Sequence, residues 1–469
     1  MTIDLLALAR ERPVHFMGLG GAGMAPLADL VKRSGGQVTG CDANASATLD
    51  TLVASGLDAS VGHDPSHIEG ASALVVTSAV AADHPEIVAA RAAEIPVLKR
   101  AAALGAVVNR GYVVGVAGTH GKTTTTALTT AVLHAAAMDP TGIVGGRVPA
   151  WNGNLLLGSE SLYVVEADEF DRSFLALAPS IAVVTTLEAD HLDVYGTLQG
   201  VEAAFLEFID RTPAEGLVIA CGDDAGVGRL LPRLGAPRRP VLTYGLSAGV
   251  MLRARKVEAT GRSTQFEVVE RGSVLGTATL HIPGLHNIRN ALAAIGVARQ
   301  LGAAWPAIAE GLVSYHGVDR RFEQIGDVDD VLVIDDYAHH PTEISATLQA
   351  ARAAYPKRRI VAVFQPHLYS RTRDFAPDFG RALSTADVLF VTDVYAAREL
   401  PIEGVSGRLI ADPAATFGTD VRYLPARESV VEEVVAELRP GDVCITLGAG
   451  DLNAAARQVV SKLGGTREP

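Results

Sequence analysis

The stretch from Tyr112 to Leu128, YVVGVAGTHGKTTTTAL, constrains this chain more than any other. A Val-rich apolar run ends in a glycine-bounded loop, and a run compatible with helix follows at once. Strand, loop and helix in that order form the βα unit of a parallel sheet. Gly118 and Gly121 let the N–H groups of the loop point inward. Lys122 and Thr123 stand where a phosphate loop places its phosphate-binding lysine and its magnesium-binding hydroxyl. Thr119, His120 and Thr124 complete the loop and the start of its helix as candidate nucleotide contacts. The general pattern asks for a glycine six residues before the lysine, and Val116 stands there instead. Read structurally only, the stretch is a glycine-rich helix cap with an incidental lysine. The strand, loop and helix in register favour a nucleotide.

The same βα rhythm runs through the whole chain. VHFMGLG, QVTGCD, ALVVTSA and IPVLKR read as strands of a first segment, with Ala-rich helical runs between them. YVVGVAG, SLYVVEAD, IAVVTTL and LVIAC belong to a second segment. That segment ends in an alternating, antiparallel-looking stretch, Met251–Ile282, and in a helix at NIRNALAAIGVARQLG. VLVIDDY, RIVAVFQP, DVLFVTDVY and DVCITLGAG are strands of a third. At 469 residues the chain has room for two to four domains. We expect an α/β protein of three domains: an N-terminal Rossmann-like one over 1–110, a central phosphate-loop one over 111–317, and a C-terminal Rossmann-like one over 318–469.

The first segment carries its own glycine turn. Gly18, Gly20 and Gly23, with Gly21 between them, link a strand to a helix, and Asp42 ends the next strand. This is the full dinucleotide fingerprint: glycines for backbone approach to a diphosphate, a helix N-terminus for its charge, and an acid for a ribose hydroxyl. The motif by itself favours a nicotinamide or flavin cofactor. A UDP-sugar, also a diphosphate beside a sugar, meets the same physical demand. A tight turn needed only for packing is the structural alternative.

Two residues at strand ends of the second segment suit a metal beside Thr123. Glu166 closes SLYVVEADEFD, and His191 follows IAVVTTLEADH. In an open parallel sheet the C-terminal ends of strands share one edge with the phosphate loop. Asp168, Glu169, Asp190 and Asp193 compete for the same role, and a lone histidine is more often structural.

GTHGKTTTT, VEADEFDRSFL, TTLEADHLDVYG, GLHNIRNALAA, DDYAHHPTE and QPHLYSRTRDF occur in this order, and together they resemble the Mur ligases over nearly the whole chain. The resemblance implies a UDP-sugar rather than a nicotinamide in the first domain, so that Gly18, Gly20, Gly21, Gly23 and Asp42 are UDP-sugar contacts. It implies ATP as the nucleotide, Lys122 as its phosphate ligand, and Thr123, Glu166 and His191 as magnesium-binding positions. Asn287 and Asn290 match adenine-contacting positions; on pattern alone they read as the start of a helix. The implied reaction joins L-alanine to the lactyl carboxylate of UDP-N-acetylmuramate through an acyl phosphate. A relative that recycles ready-made murein peptides onto the same UDP-sugar is the alternative, and a non-catalytic nucleotide-binding regulator is a more distant one. Several sister ligases carry a carbamylated lysine after the DHLD stretch. VYGTLQGVEAAFLEFID here contains no lysine, which argues against a carbamate-bridged second metal.

For the amine end, Asp335, Asp336, His339 and Arg371 supply an anion for an ammonium, a cation for a carboxylate and a proton acceptor. His339 and Arg371 join Lys122 and His191 as candidate catalytic residues. Arg371 and Arg373 could instead reach the transferring phosphate, and Arg320 and Arg321 mark an expected hinge. A net charge of −13 argues against a nucleic-acid partner. Three dispersed cysteines and a poor signal-peptide pattern predict a cytoplasmic protein, and the absence of a long apolar run predicts no membrane span. A monomer or homodimer is expected.

Overall fold

In the computed structural model, residues 3–234, 239–397 and 399–464 are described. The first sheet contains β1 (Val14–Met17), β2 (Val38–Asp42), β3 (Asp58–Val61), β4 (Ala73–Val76) and β5 (Val97–Lys99). Its order is β3-β2-β1-β4-β5, and every pair is parallel. Central β1 and β4 are buried throughout and are almost wholly apolar. Edge strand β3, DASV, is half-exposed, so its composition gave no strand signal. The order turns back between β1 and β4, and such a switch point opens a crevice at the C-terminal strand ends, where the Gly18–Gly23 turn lies.

The middle sheet has ten strands: β6 (Tyr112–Ala117), β7 (Thr141–Val148), β8 (Gly153–Leu156), β9 (Leu162–Glu166), β10 (Ile181–Val184), β11 (Leu217–Cys221), β12 (Val241–Gly245), β13 (Leu252–Thr260), β14 (Ser263–Glu270) and β15 (Ser273–Leu280). They lie in the order β15-β14-β13-β12-β11-β10-β6-β9-β7-β8. Two-residue turns, at Gly261 and at Arg271–Gly272 with positive φ, join β13 to β14 and β14 to β15, as the alternating pattern of Met251–Ile282 predicted. The third sheet contains β16 (Glu323–Val328), β17 (Val331–Asp336), β18 (Arg359–Phe364), β19 (Val388–Val391), β20 (Asp420–Tyr423) and β21 (Asp442–Leu447), in the order β16-β17-β21-β18-β19-β20. Only β16 is antiparallel, and its hairpin turns through Asp329 and Asp330 at φ 51° and 61°. Two successive positive-φ residues give a turn whose twist matches the strands.

Contacts group the chain into two compact units. The first takes residues up to 255 with 267–278 and 289–315, and the second takes 256–266, 279–288 and the rest. The N-terminal sheet and the parallel part of the middle sheet share the first unit.

Two local features set up the centre of that unit. The helix Lys122–Ala135 holds six threonines, which are mediocre helix formers, yet all six are buried. Thr126, Thr129 and Thr130 return their hydroxyls to the carbonyl four residues back, at 2.7–2.9 Å. Packing decides the helix: a Cβ on Gly311 of the neighbouring helix Trp305–Val313 would lie 2.6 Å from Val132 Cα. Second, Phe174, Phe205 and Phe208 form a buried aromatic cluster, with Phe174 stacked on Phe208 at 5.1 Å and edge-on to Phe205 at 5.3 Å. It ties the segment after β9 to the helix Leu198–Asp210, which Thr197 caps through the Gly200 N–H. Phe208→Ala should therefore cost about 3–5 kcal/mol of stability. A wild-type midpoint in chemical or thermal denaturation would contradict that placement.

Candidate active site

The loop after β6 closes on its neighbours through backbone geometry that only glycine tolerates. Gly118 has φ +145°, and a Cβ there would lie 1.9 Å from Thr185 Oγ1. Gly121, the N-cap of the helix at Lys122, has φ +80°, and a Cβ there would lie 2.6 Å from Asn290 Oδ1. Thr185 and Thr186, which follow β10, hold the loop. Thr186 Oγ1 accepts from His120 N at 2.8 Å, Thr186 O from Thr119 N at 3.0 Å, and Thr185 Oγ1 donates to His120 O at 2.5 Å. Thr119 Oγ1 in turn accepts from Glu188 N at 2.9 Å, and His120 Nε2 lies 3.5 Å from Glu188. Thr124 is buried in the first helical turn.

Strand register explains what meets Thr123. β6 lies between β9 and β10, pairing Val116 with Glu166 on one side and Ala117 with Val184 on the other. Glu166 thus ends level with the loop, and its Oε1 accepts from Thr123 Oγ1 at 2.8 Å. Its Oε2 accepts from Gly145 N on β7 at 2.6 Å. A hydroxyl and a carboxylate at a helix N-terminus are oxygen donors suited to a hard divalent cation. His191 occupies the same edge on the β10 side. It is the N-cap of the short helix Leu192–Tyr195, at φ 52°, with Asp190 3.9 Å from its Nε2 and Phe170 edge-on at 5.2 Å.

Lys122 is almost buried and three acceptors surround it. Its Nζ donates to Gly118 O at 2.8 Å and to Glu169, whose two oxygens lie 2.8 and 2.7 Å away; Thr119 O is at 3.4 Å. Burial alone would lower the lysine pKa. Glu169, with Asp168 and Glu166 behind it, outweighs that and raises it, so the ammonium stays charged. Burial pushes Glu169 up to about 7, and Lys122 pulls against that rise. Tyr195 Oη holds the Glu169 backbone carbonyl at 2.5 Å. Sequence reasoning set Glu169 only among competing metal ligands. Its ion pair across 47 positions had no local signal, and neither had the loop-binding role of Thr185 and Thr186.

In the first domain the glycine turn is also closed by its neighbours. Gly18, at φ +81°, and Leu19 donate to Cys41 O at 2.8 and 3.0 Å, and Gly20 N donates to Asp42 Oδ2 at 2.9 Å. A Cβ on Gly21 would lie 3.3 Å from Gly18 O. Gly23 caps the helix Met24–Arg33, and a Cβ there would lie 2.9 Å from Arg100 Nη1. Arg100 brings a cation to the turn from far along the chain, and the fingerprint carried no hint of it.

Asn290 lies against Gly121, as noted, and Asn287, a turn earlier on the helix Leu285–Gln300, donates to Pro283 O at 2.7 Å; both are buried. In the second unit, Asp335 accepts from Arg320 at 3.2 Å and from Thr446 at 2.5 Å. Asp336 accepts from Phe322 N and Ala338 N, both at 2.8 Å. The two carboxylates therefore hold protein groups. Arg320 also donates to Gly448 O at 2.6 Å, and Arg320 and Arg321 both lie over the Tyr337 ring, so neither is a solvated surface arginine. Arg373 is one, paired at 2.7 Å with its neighbour Asp374. Arg371 is buried on the helix Tyr369–Leu383. His339 Nδ1 faces two acceptors, Tyr337 O at 2.9 Å and Glu343 Oε2 at 3.2 Å. Nδ1 therefore carries the proton, and in the neutral ring Nε2 is the basic nitrogen.

Three family models match in series: the Mur ligase family catalytic domain over residues 13–112, the Mur ligase middle domain over 116–298, and the Mur ligase glutamate ligase domain over 320–450. A UDP-N-acetylmuramate–L-alanine ligase of Salinibacter ruber is 44% identical over 465 residues, 98% of this chain and 97% of that protein. One of Sorangium cellulosum is 44% identical over 457 residues, 97% of each. The crystal structure of a UDP-N-acetylmuramate–alanine ligase from Thermotoga maritima superposes with a TM-score of 0.80 at 29% identity, covering 96% of this chain and 99% of that one. A murein peptide ligase from Psychrobacter arcticus superposes at 0.71 with 25% identity, covering 98% and 100%.

Two outcomes follow from this geometry. Gly118→Ala drives a methyl group into Thr185, an overpacking cost of about 1–3 kcal/mol. ADP affinity measured by calorimetry should fall about tenfold or more, and unchanged affinity would show that the loop is not the nucleotide site. Burial raises Asp336 to about 6, against the pull of Arg321. Its folded pKa exceeds the unfolded value, so wild-type stability from this group is present at low pH and lost as pH rises to about 6. The melting temperature of Asp336→Asn minus that of wild type should rise between about pH 4 and 6; a flat or falling difference would contradict the assignment.

Proposed function

The chain belongs to the Mur ligase family, and from that premise we propose how its own residues divide the work of one ligation. It ligates L-alanine to the lactyl carboxylate of UDP-N-acetylmuramate with ATP, giving ADP and phosphate, in peptidoglycan precursor synthesis. The alanine-adding activity is preferred to murein-peptide recycling because the curated relatives at 41–44% identity are alanine ligases. We place the domain boundaries at 110/111 and 317/318, with UDP-sugar, ATP and amino acid served by the three domains in that order.

The observation that carries the site reading is the buried Lys122 ammonium at the head of the loop, beside the Thr123–Glu166 pair. In the first domain the 18–23 turn and Arg100 receive the diphosphate, and Asp42 receives a ribose hydroxyl once it releases Gly20. In the second, the N–H groups of the 118–124 loop hold the ATP phosphates, and Asn287 and Asn290 border the adenine. Thr123, Glu166 and His191 would hold Mg²⁺, which when bound neutralises charge on the phosphates. Nothing in Leu192–Asp210 offers a lysine for a carbamate bridge.

The chemistry starts from a carboxylate, which does not acylate an amine because oxide is a poor leaving group. A lactyl oxygen attacks the γ-phosphorus, the bond to the β-phosphate oxygen breaks, and ADP leaves. Lys122, released by Glu169, stabilises charge on the transferring group. The free amine of alanine then attacks the acyl carbon, and inorganic phosphate leaves from the tetrahedral intermediate. His339 takes the proton that the nitrogen loses, and Arg371 holds the alanine carboxylate or the phosphate. Asp335 and Asp336 act indirectly, by fixing Arg320 and the backbone at Phe322 and Ala338.

We place the protein in the cytoplasm as a monomer or homodimer. Its three cysteines are unpaired, and among the described residues no helix is long and apolar enough to cross a membrane. A coupled assay with ATP, Mg²⁺, UDP-N-acetylmuramate and a panel of amino acids should release phosphate with L-alanine and give a product of the matching mass. Lys122→Ala should slow ADP release at least about a hundredfold while UDP-sugar binding persists. Lost UDP-sugar binding with intact turnover would sink the domain assignment.

A further inference from the structure

The first domain contains a second cluster of ligating side chains that the ligation does not use. On β1, His15 alternates with Val14 and Phe16, so it faces the small core of Met17, Cys41, Ile68 and Ile87 rather than the larger one. There it meets Cys41 from β2, His67 from the turn Pro65–Ile68, and Glu86 from the helix Pro85–Ala92. One ligand atom from each of the four lies within 4.8 Å of all the others. His15 Nε2 is 3.3 Å from Cys41 Sγ, Cys41 Sγ is 3.5 Å from Glu86, and Glu86 Oε1 is 3.1 Å from His67 Nδ1.

We propose that His15 Nε2, Cys41 Sγ, His67 Nδ1 and Glu86 form a structural site for one divalent transition metal, zinc by its donor set. Zinc binds nitrogen, sulfur and oxygen at about 2.0–2.3 Å in tetrahedral array, which puts ligand atoms roughly 3.3–3.8 Å apart. The three separations above, 3.3, 3.5 and 3.1 Å, already fall close to that range. The remaining imidazole nitrogens are oriented as metal-binding histidines usually are: His15 Nδ1 lies 2.9 Å from Thr39 Oγ1, and His67 Nε2 lies 3.3 Å from Ser60 Oγ. The Asp64 N–H lies 3.3 Å from His67 Nδ1 but only 2.8 Å from Glu86, which can keep it as an acceptor. His63 Nδ1, 3.2 Å from Cys41 Sγ, stands by as a further ligand at the solvent side.

Glu86 gives the independent reason to expect a cation. It is completely buried, and among the described residues its ion-pair partners are His63 and His67, with no lysine or arginine. A buried carboxylate is normally paired with a cation or bound to a metal. The metal would also brace the sugar site, because the Cys41 carbonyl accepts the Gly18 and Leu19 N–H groups. Loading should therefore stabilise the first domain.

The test uses the full chain, stripped with a chelator and kept in excess Mg²⁺ to mask hard-cation sites. Titration with Co²⁺ should saturate at one equivalent with tetrahedral d–d bands and a thiolate charge-transfer band, and Zn²⁺ should abolish both. Cys41→Ser should remove the charge-transfer band, and Glu86→Gln should weaken binding at least tenfold. His67→Gln, at the accessible rim, repeats the test where folding is least at risk. Zinc should raise the melting temperature of wild type and not of Cys41→Ser. No thiolate band in wild type, or the same band in Cys41→Ser, would overturn the site and leave a metal-free hydrogen-bonded cluster.

Discussion

The buried charge of Lys122 is the constraint on which the loops at the C-terminal edge of β6, β9 and β10 depend. An ammonium at the head of a helix, beside inward-pointing N–H groups, is unstable unless an anion answers it, and losing one partner of a buried pair costs about 3–5 kcal/mol. Glu169 is that anion here, with both oxygens within 2.8 Å. Its backbone carbonyl is bound in turn by Tyr195, and beyond Phe170 the residues Asp171 and Arg172 run through the left-handed region at φ 53° and 55°. Three loops, at 118–123, 166–172 and 185–195, are thereby arranged around one cation. Under the proposed function, an ATP phosphate entering the loop would compete with Glu169 for the same charge.

The glycines around that lysine follow from the same crowding. Gly118 and Gly121 both need positive φ, and both also lack space: a Cβ would strike Thr185 at one and Asn290 at the other. Those neighbours come from the segment that follows β10 and from the helix Leu285–Gln300, so the loop is shaped from outside as much as by its own sequence. This explains why Val116 is no defect. The general loop uses a further glycine to gain backbone freedom, whereas this one begins only at Gly118, and Val116 stays in β6, fully buried and paired with Glu166.

Legibility in the sequence followed the range of the interaction. Central strands such as β1, β4, β6 and β10 announce themselves because burial on both faces demands continuous apolar runs. The edge strands β3, β16 and β20 do not, since half of each meets solvent, and the polar stretch DASV looks like a loop. Gly118, Lys122, Thr123 and Glu166 were readable because a strand–loop–helix unit and strand ends are local patterns. The Lys122–Glu169 pair, the Thr186 bond to His120, Arg100 over Gly23, and the four-residue meeting of His15, Cys41, His67 and Glu86 join distant positions. No periodicity or spacing encodes them; they arise only when strands, turns and helices far apart in the chain pack against one another.

The fingerprint of the first domain shows where motif physics stops. Gly18, Gly20, Gly23 and Asp42 specify a backbone that approaches a diphosphate and an acid near a sugar, and both a dinucleotide and a UDP-sugar satisfy that. In this structure the Asp42 carboxylate is engaged by the turn itself, through Gly20 N and Asn44 N, so it acts as a brace of the turn. What narrows the choice lies outside the motif. A nicotinamide would need a hydride acceptor in reach, and the next domain instead presents a buried lysine and a hydroxyl–carboxylate pair. Contact between the β8 residue Asn154 and the Ala22 carbonyl, at 3.4 Å, places that domain beside the glycine turn. On the proposed reading, a diphosphate at the turn would lie next to the phosphoryl-transfer loop, which suits a substrate that must be activated and not a cofactor that must be reduced.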